Sequence, residues 1–188
     1  LSADEKPAIS ILGDSYSTFA GAVPEGNAVW YRPAPDNSND VCKVEQTWWH
    51  QVIQLLGGEL EKNESYSGST VCNTGYNKSD AGKTSFLARA GRLGNPRIIL
   101  VCGATNDSWA GVPIGEYKYD GWTPEDLFSF RPGLARLLAE LKQLYPQAEI
   151  YFILNSELSA PINESVHTIC KHYDVPCLDL RNISKQKG

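Results

Sequence analysis

Residues 97–102 read Arg-Ile-Ile-Leu-Val-Cys, five apolar residues in a row behind one arginine. A strand with one face in water alternates apolar and polar residues. A run without alternation marks a strand covered on both faces, the pattern of a parallel sheet flanked by helices. Other strand-like segments occur at Ala8 to Gly13, Ala148 to Leu154 and Val175 to Leu180, with a weaker candidate at Glu59 to Ser65. Between them lie helical patterns. Gln46 to Leu56 carries an apolar stripe of Trp48, Trp49, Val52, Ile53, Leu55 and Leu56. Ser85 to Leu93 is a short helix stopped by Gly94-Asn95-Pro96. Thr123-Pro124-Glu125-Asp126 supplies an N-cap, a proline at the first helical position and an acidic first turn. That helix runs to about Tyr145, with Leu134, Leu137, Leu138, Leu141 and Leu144 on one stripe. Ile162, Val166, Ile169, Cys170 and Tyr173 mark another helix. Gly103 to Thr123 reads as a long polar and aromatic loop, and Gly21 to Val41 as an ordered insertion. Strands separated by helices give an α/β class, a single domain over 1–188 with one parallel sheet.

Composition removes several function classes. The 188 residues carry a net charge of -5, with none of the basic footprint of a nucleic-acid binder. The longest purely apolar stretch, Ile98 to Cys102, is far too short to span a bilayer. The three histidines and five cysteines (42, 72, 102, 170, 177) lack metal-ligand spacing, so no metal is expected. No glycine-rich nucleotide-binding motif occurs, so no cofactor is expected. The odd cysteine count argues against a complete disulfide framework, and Cys102 reads as a small core residue. The chain has no methionine and starts with a polar segment, Leu1-Ser2-Ala3-Asp4-Glu5-Lys6. A removed signal peptide explains that start and implies a secreted or periplasmic protein.

Three polar loops carry the chemistry. The first strand ends in Gly13-Asp14-Ser15, and the glycine allows a turn that presents the serine at the carboxyl edge of the sheet. Asn63-Glu64-Ser65-Tyr66-Ser67-Gly68-Ser69-Thr70 follows the second strand, and Gly103-Ala104-Thr105-Asn106-Asp107 follows the third. Taken singly, each reads as a cap or a turn. In order, after successive parallel strands at one sheet edge, they point to a shared crevice. Asp14 neighbours the serine on a turn, so the two side chains diverge, and it is expected to hydrogen-bond loop backbone.

With these segments the chain resembles the SGNH (GDSL-type) serine hydrolases over Ile9 to about Asp179. It is most similar to secreted bacterial members with Trp48-Trp49, Ser65 to Ser69 and Gly103 to Trp109. The resemblance implies a three-layer α/β/α sandwich with about five parallel strands, as the strand pattern does. It also implies that Ser15 is the nucleophile, with its own N–H, the Gly68 N–H and the Asn106 side chain as the oxyanion hole. A serine hydroxyl needs a base to take its proton, and charge on the carbonyl oxygen needs preorganised donors.

The family's base is a histidine in an Asp-x-x-His segment after the last strand. His50, His167 and His172 all precede that strand. The expectation is therefore a cleft at Ser15 with no imidazole in reach, a domain lacking a His-bearing loop and helix, and an under-covered surface beside the first strand. Gln186 stands three residues before the expected histidine, which favours a Ser-His dyad, with Asp179 as a fallback partner. Trp30, Tyr31, Trp109, Tyr117, Tyr119 and Trp122 fall in loops expected near the site, with Trp30, Tyr31 and Trp109 assigned to substrate. Trp48 and Trp49 are expected in the core. The resulting expectation is a serine esterase acting on a small-molecule or carbohydrate ester, such as a carbohydrate deacetylase. The rival is a catalytically impaired carbohydrate- or ligand-binding module of the same fold.

Overall fold

The computed structural model describes residues 5–183. Five strands form one sheet: β1 (Ala8–Gly13), β2 (Glu59–Ser65), β3 (Ile98–Gly103), β4 (Glu149–Leu154) and β5 (Cys177–Asp179). Their order is β2-β1-β3-β4-β5, and every neighbouring pair is parallel. The helices are α1 (Trp48–Leu55), α2 (Phe86–Arg89), α3 (Thr105–Ala110), α4 (Phe130–Leu144) and α5 (Ala160–His172).

Neighbouring residues on each strand serve opposite layers, because side chains alternate across a strand. Leu12, Ile99, Val101, Phe152 and Leu154 face a core built with Phe86 of α2, four leucines of α4 and Ile162, Val166 and Ile169 of α5. Ile9, Ile11 and Leu100 face the other way, against Trp49 and Ile53 of α1. Full burial of one such side chain contributes about 1.5–3 kcal/mol, so the thick layer dominates the fold. The other layer is narrower. Beyond α1, Cys102, Ile153 and Leu178 line an open groove of about 530 Å³ together with Trp48 and Val52. The uncovered surface thus lies beside β4 and β5, not beside β1 as expected, because α1 sits on Ile9 and Ile11. Cys102 is accordingly half-buried on that face.

Three other expectations change. The segment after β3 is not all loop. Ala104 takes φ 76, turning the chain sharply, and α3 follows at once, ending on Gly111 at φ 61. Six residues with no apolar period give no helical signal in sequence. The helix expected from Pro124 starts only at Phe130. Asp126 accepts from Lys118 Nζ at 2.6 Å and from the Thr123 N–H at 2.8 Å, which closes a separate turn at 126–128. Ser129 is then extended, and the N–H groups of Phe130 and Arg131 are satisfied by the Pro113 and Ile114 carbonyls. The helix expected over Ser85 to Leu93 is α2 followed by a 3₁₀ turn at 90–92.

The chain passes from β1 to β2 on one side, then crosses to β3 on the other. Such a reversal opens a crevice at the carboxyl ends of the central strands. Gly13 is level with Ser65 on β2 and with Cys102 on β3, so all three loops leave the sheet at one height.

Candidate active site

β1 ends where space is tightest. A Cβ on Gly13 would stand 2.5 Å from Ser17 and 2.8 Å from Ser65 Oγ, so only glycine fits. The next residues form a 3₁₀ turn, Ser15–Ser17, capped by the Asp14 carboxylate, which accepts the Tyr16 N–H at 3.2 Å. This is the backbone role expected of Asp14. Its other oxygen, Oδ2, has no partner among the described residues. Burial pushes the carboxyl up to about 7, Asp107 adds repulsion, and Arg89 opposes both.

Ser15 Oγ accepts the Gly68 N–H at 3.1 Å and shares a 3.0 Å hydrogen bond with Ser67 Oγ. Gly68 sits at φ 81, in the left-handed region that disfavours side chains, with open space where a Cβ would be. The Asn106 amide donates from Nδ2 to the Ser69 carbonyl at 2.9 Å and accepts at Oδ1 from the Tyr76 hydroxyl at 2.7 Å. Asp107, beside it, accepts the Val71 and Cys72 N–H groups at 2.8 and 3.2 Å. Its pKa is raised to about 6, chiefly by burial, with those two hydrogen bonds opposing. The loop after β2 is thereby tied to α3.

Beneath the site lies Arg89 of α2, 1% exposed. Its guanidinium donates to the carbonyls of Gly13, Glu64 and Thr84 and, at 2.7 Å, to Ser69 Oγ. One side chain thus holds the ends of β1 and β2 and the Gly68 loop together. Desolvation lowers its pKa to about 10, with Glu64 and Asp14 opposing.

Ser15, Gly68, Asn106, Trp30 and Trp109 line one cleft of about 280 Å³, joined by Asp14, Tyr16, Ser67, Tyr76 and Thr105. Trp30 is 53% exposed and Trp109 54%. The 21–41 insertion is fastened to this cleft. The Trp30 N–H donates to Thr18 Oγ1, and the Ser67 N–H to the Ala28 carbonyl. Tyr31 is half-buried and is not among the lining residues. Tyr117, Tyr119 and Trp122 are elsewhere, packed against the α4–α5 core. Arg131 stacks over Tyr117, Arg136 over Trp122, and Tyr119 on His172 at 3.7 Å between ring centroids. Trp49 is a core residue, while Trp48 is half-buried and donates to Ser17 Oγ at 3.0 Å. Tyr76 and Arg89 carry no sequence signal of a place at this site, and Ser67 lies within the second polar loop with no role assigned to it. Tyr76 stands in a stretch without period, and nothing local tells that its hydroxyl meets an asparagine 30 residues on.

No imidazole among the described residues lines the cleft. His167 Nε2 instead meets Asp179 Oδ2 at 2.7 Å, and the same carboxylate accepts from Arg181 at 2.6 Å. Arg181, ahead of His167, holds the Asp179 carboxyl well below the usual range. Gln186 lies outside the described residues. Among them, no three His, Cys, Asp or Glu side chains are grouped to hold a metal ion. No helix among them is long and apolar enough to cross a membrane.

A family model, GDSL-like Lipase/Acylhydrolase, matches residues 7–188. A GDSL-like lipase-family protein from Bacteroides ovatus ATCC 8483 superposes with a TM-score of 0.93 at 51% identity, over 98% of this chain and 90% of that one. One from Bacteroides uniformis ATCC 8492 gives 0.92 at 56% identity, over 98% and 88%. A family two carbohydrate esterase from Clostridium thermocellum, in complex with cellohexaose, gives 0.61 at 13% identity over 96% and 56%, a likeness of fold. No curated protein matches. A family match over nearly the whole sequence, two homologues above half identity and a shared parallel sheet agree: the chain belongs to the GDSL-like lipase/acylhydrolase family.

Proposed function

We propose that the protein is a serine esterase that works through an acyl-enzyme on Ser15, and that its substrate is a carbohydrate carrying a small acyl group. The observation that carries this reading is the contact between Ser15 Oγ and the Gly68 N–H, with Asn106 lining the same cleft. In the reaction, Ser15 Oγ attacks the ester carbonyl as a base takes its proton. The carbonyl oxygen becomes an alkoxide facing the Ser15 and Gly68 N–H groups and Asn106 Nδ2. Collapse expels the sugar alcohol, which takes a proton from the base, and water releases the acid by the same path. Preorganised donors of this kind each contribute about 10²–10³ in rate.

The cleft is small, about 280 Å³, which suits acetyl better than a long chain. Trp30 and Trp109 offer the half-exposed flat faces on which sugar rings stack. The base is proposed to come from a segment that follows β5 and lies outside the described residues. The groove beside β4 and β5 adjoins the cleft, with Tyr16 and Trp109 lining both. The half-exposed Trp30 and Trp109 in the cleft also suit a second reading, a module that binds a carbohydrate ester without turning it over.

One set of variants separates these readings. Ser15→Ala should abolish hydrolysis of p-nitrophenyl acetate and leave the unfolding midpoint in place. Asn106→Ala should lower kcat about 10²–10³-fold with a smaller change in KM. Hydrolysis that survives Ser15→Ala would refute the nucleophile. Sugar binding without any Ser15-dependent turnover would favour the binding module.

A further inference from the structure

We propose that Tyr76 is a positioning residue for Asn106: its hydroxyl fixes the amide in the cleft and strengthens the N–H offered to substrate. The inference rests on the reading of Asn106 as an oxyanion donor.

The amide's orientation follows from its partners. The Ser69 carbonyl can only accept, so the atom 2.9 Å from it must be Nδ2. Oδ1 then faces Tyr76, 2.7 Å away, and the phenol must be the donor. Ser69 takes one of the two Nδ2 hydrogens. No other acceptor among the described residues takes the second, on a side chain that lines the cleft. A donor on Oδ1 draws charge through the amide and makes the remaining N–H more acidic, as in any chain of hydrogen bonds in a dry site.

Tyr76 is built for this place. Its loop is closed by Gly75 N–H to Ser79 O at 2.8 Å and Ser79 N–H to Tyr76 O at 3.1 Å. Thr74 pairs with Asp80 and donates to the Phe128 carbonyl at 2.6 Å. Tyr76 is 40% exposed, yet its hydroxyl is committed to Asn106. Burial, then the nearby Asp14 and Asp107 charges, raise its pKa, so the phenol keeps the proton it donates.

The test is Tyr76→Phe in two backgrounds, which removes one oxygen and keeps the ring. In the otherwise natural chain, kcat for p-nitrophenyl acetate should fall about 5–10-fold, the value of one neutral hydrogen bond, while KM changes less than about 2-fold. With Asn106→Ala already present, the same change should alter kcat by less than about 2-fold. An equal fall in both backgrounds, no fall in the first, or a rise in KM alone would overturn the proposal. The rate at which a p-nitrophenyl phosphonate labels Ser15 should follow the same pattern, since its developing charge meets the same donors; an equal labelling loss in both backgrounds would likewise overturn it. Asn106→Ala without effect on either rate would instead refute the donor reading itself, in a variant where Tyr76 is untouched.

Discussion

At the scale of single residues, Asp14 is the sharpest conflict between a side chain and its place. It stands one position before Ser15, and that position is buried, with one carboxyl oxygen unpartnered among the described residues. Folded, it titrates near 7; unfolded, near its ordinary value of about 3.9. Between about pH 4 and 7 the folded chain therefore holds a proton that the unfolded chain has released. Stability falls as pH climbs through that window and levels off above it. Asp107, raised to about 6, acts in the same direction. Asp14→Asn should thus raise unfolding free energy at pH 8 by about 2–4 kcal/mol and change it little at pH 4, read from urea unfolding at both values. An equal effect at both pH values would mean that Asp14 does not titrate in this way. Ser15, Gly68 and Asn106 were legible as candidates because each follows a strand end within a few residues. Asp14's hydrogen bond was legible too, since it is local. Its burial and the Tyr76 hydroxyl were not, because both depend on chain segments far away in sequence.

At the scale of elements, the site is as sound as the join between α2 and the strand ends. Arg89 makes that join with hydrogen bonds to three carbonyls and Ser69 Oγ, in a place closed to water. Replacing it leaves those acceptors buried and unmatched, at about 1–3 kcal/mol each where nothing substitutes. Arg89→Met, which keeps much of the volume, should therefore cost more than about 3 kcal/mol in urea unfolding. A loss under about 1 kcal/mol would show that other donors reach those carbonyls. The sequence pattern locates this helix but makes it longer than α2, and nothing local marks the arginine, since a basic residue in a last helical turn is ordinary. The strands were the most legible elements. β1 and β2 span the expected residues, while β3, β4 and β5 differ at their ends by one to two residues, because a run covered on both faces has few other uses. α3 was missed for want of period. The start of α4 was misplaced because Thr123-Pro124 caps a turn held by Asp126 instead of the helix itself.

At the scale of the whole molecule, one asymmetry connects stability to function. The α2–α4–α5 layer covers its side of the sheet, while the α1 layer covers β1 and part of β3 and leaves Leu178 51% exposed. Parallel sheets are ordinarily covered on both faces. The general inference of under-coverage was legible, but the location was not, since sequence does not fix which strands α1 overlies. The open groove adjoins the Ser15 cleft, with Tyr16 and Trp109 lining both. On the proposed mechanism, free imidazole entering there should act as the base for Ser15. Hydrolysis of p-nitrophenyl acetate by the 188-residue chain should be slow in neutral phosphate and rise with imidazole concentration. Imidazole attacks such esters unaided, so the relevant rate is the excess over Ser15→Ala under the same conditions. General-base assistance is typically worth about 10²–10⁴-fold, and an untethered base should recover a part of it. Trp109→Ala widens the passage and should leave the imidazole response in place, whereas Ile153→Trp, which fills the groove, should blunt it. Fast Ser15-dependent hydrolysis indifferent to imidazole would mean that the chain already holds its base, and would turn attention to how His50, His167 or His172 could reach the cleft.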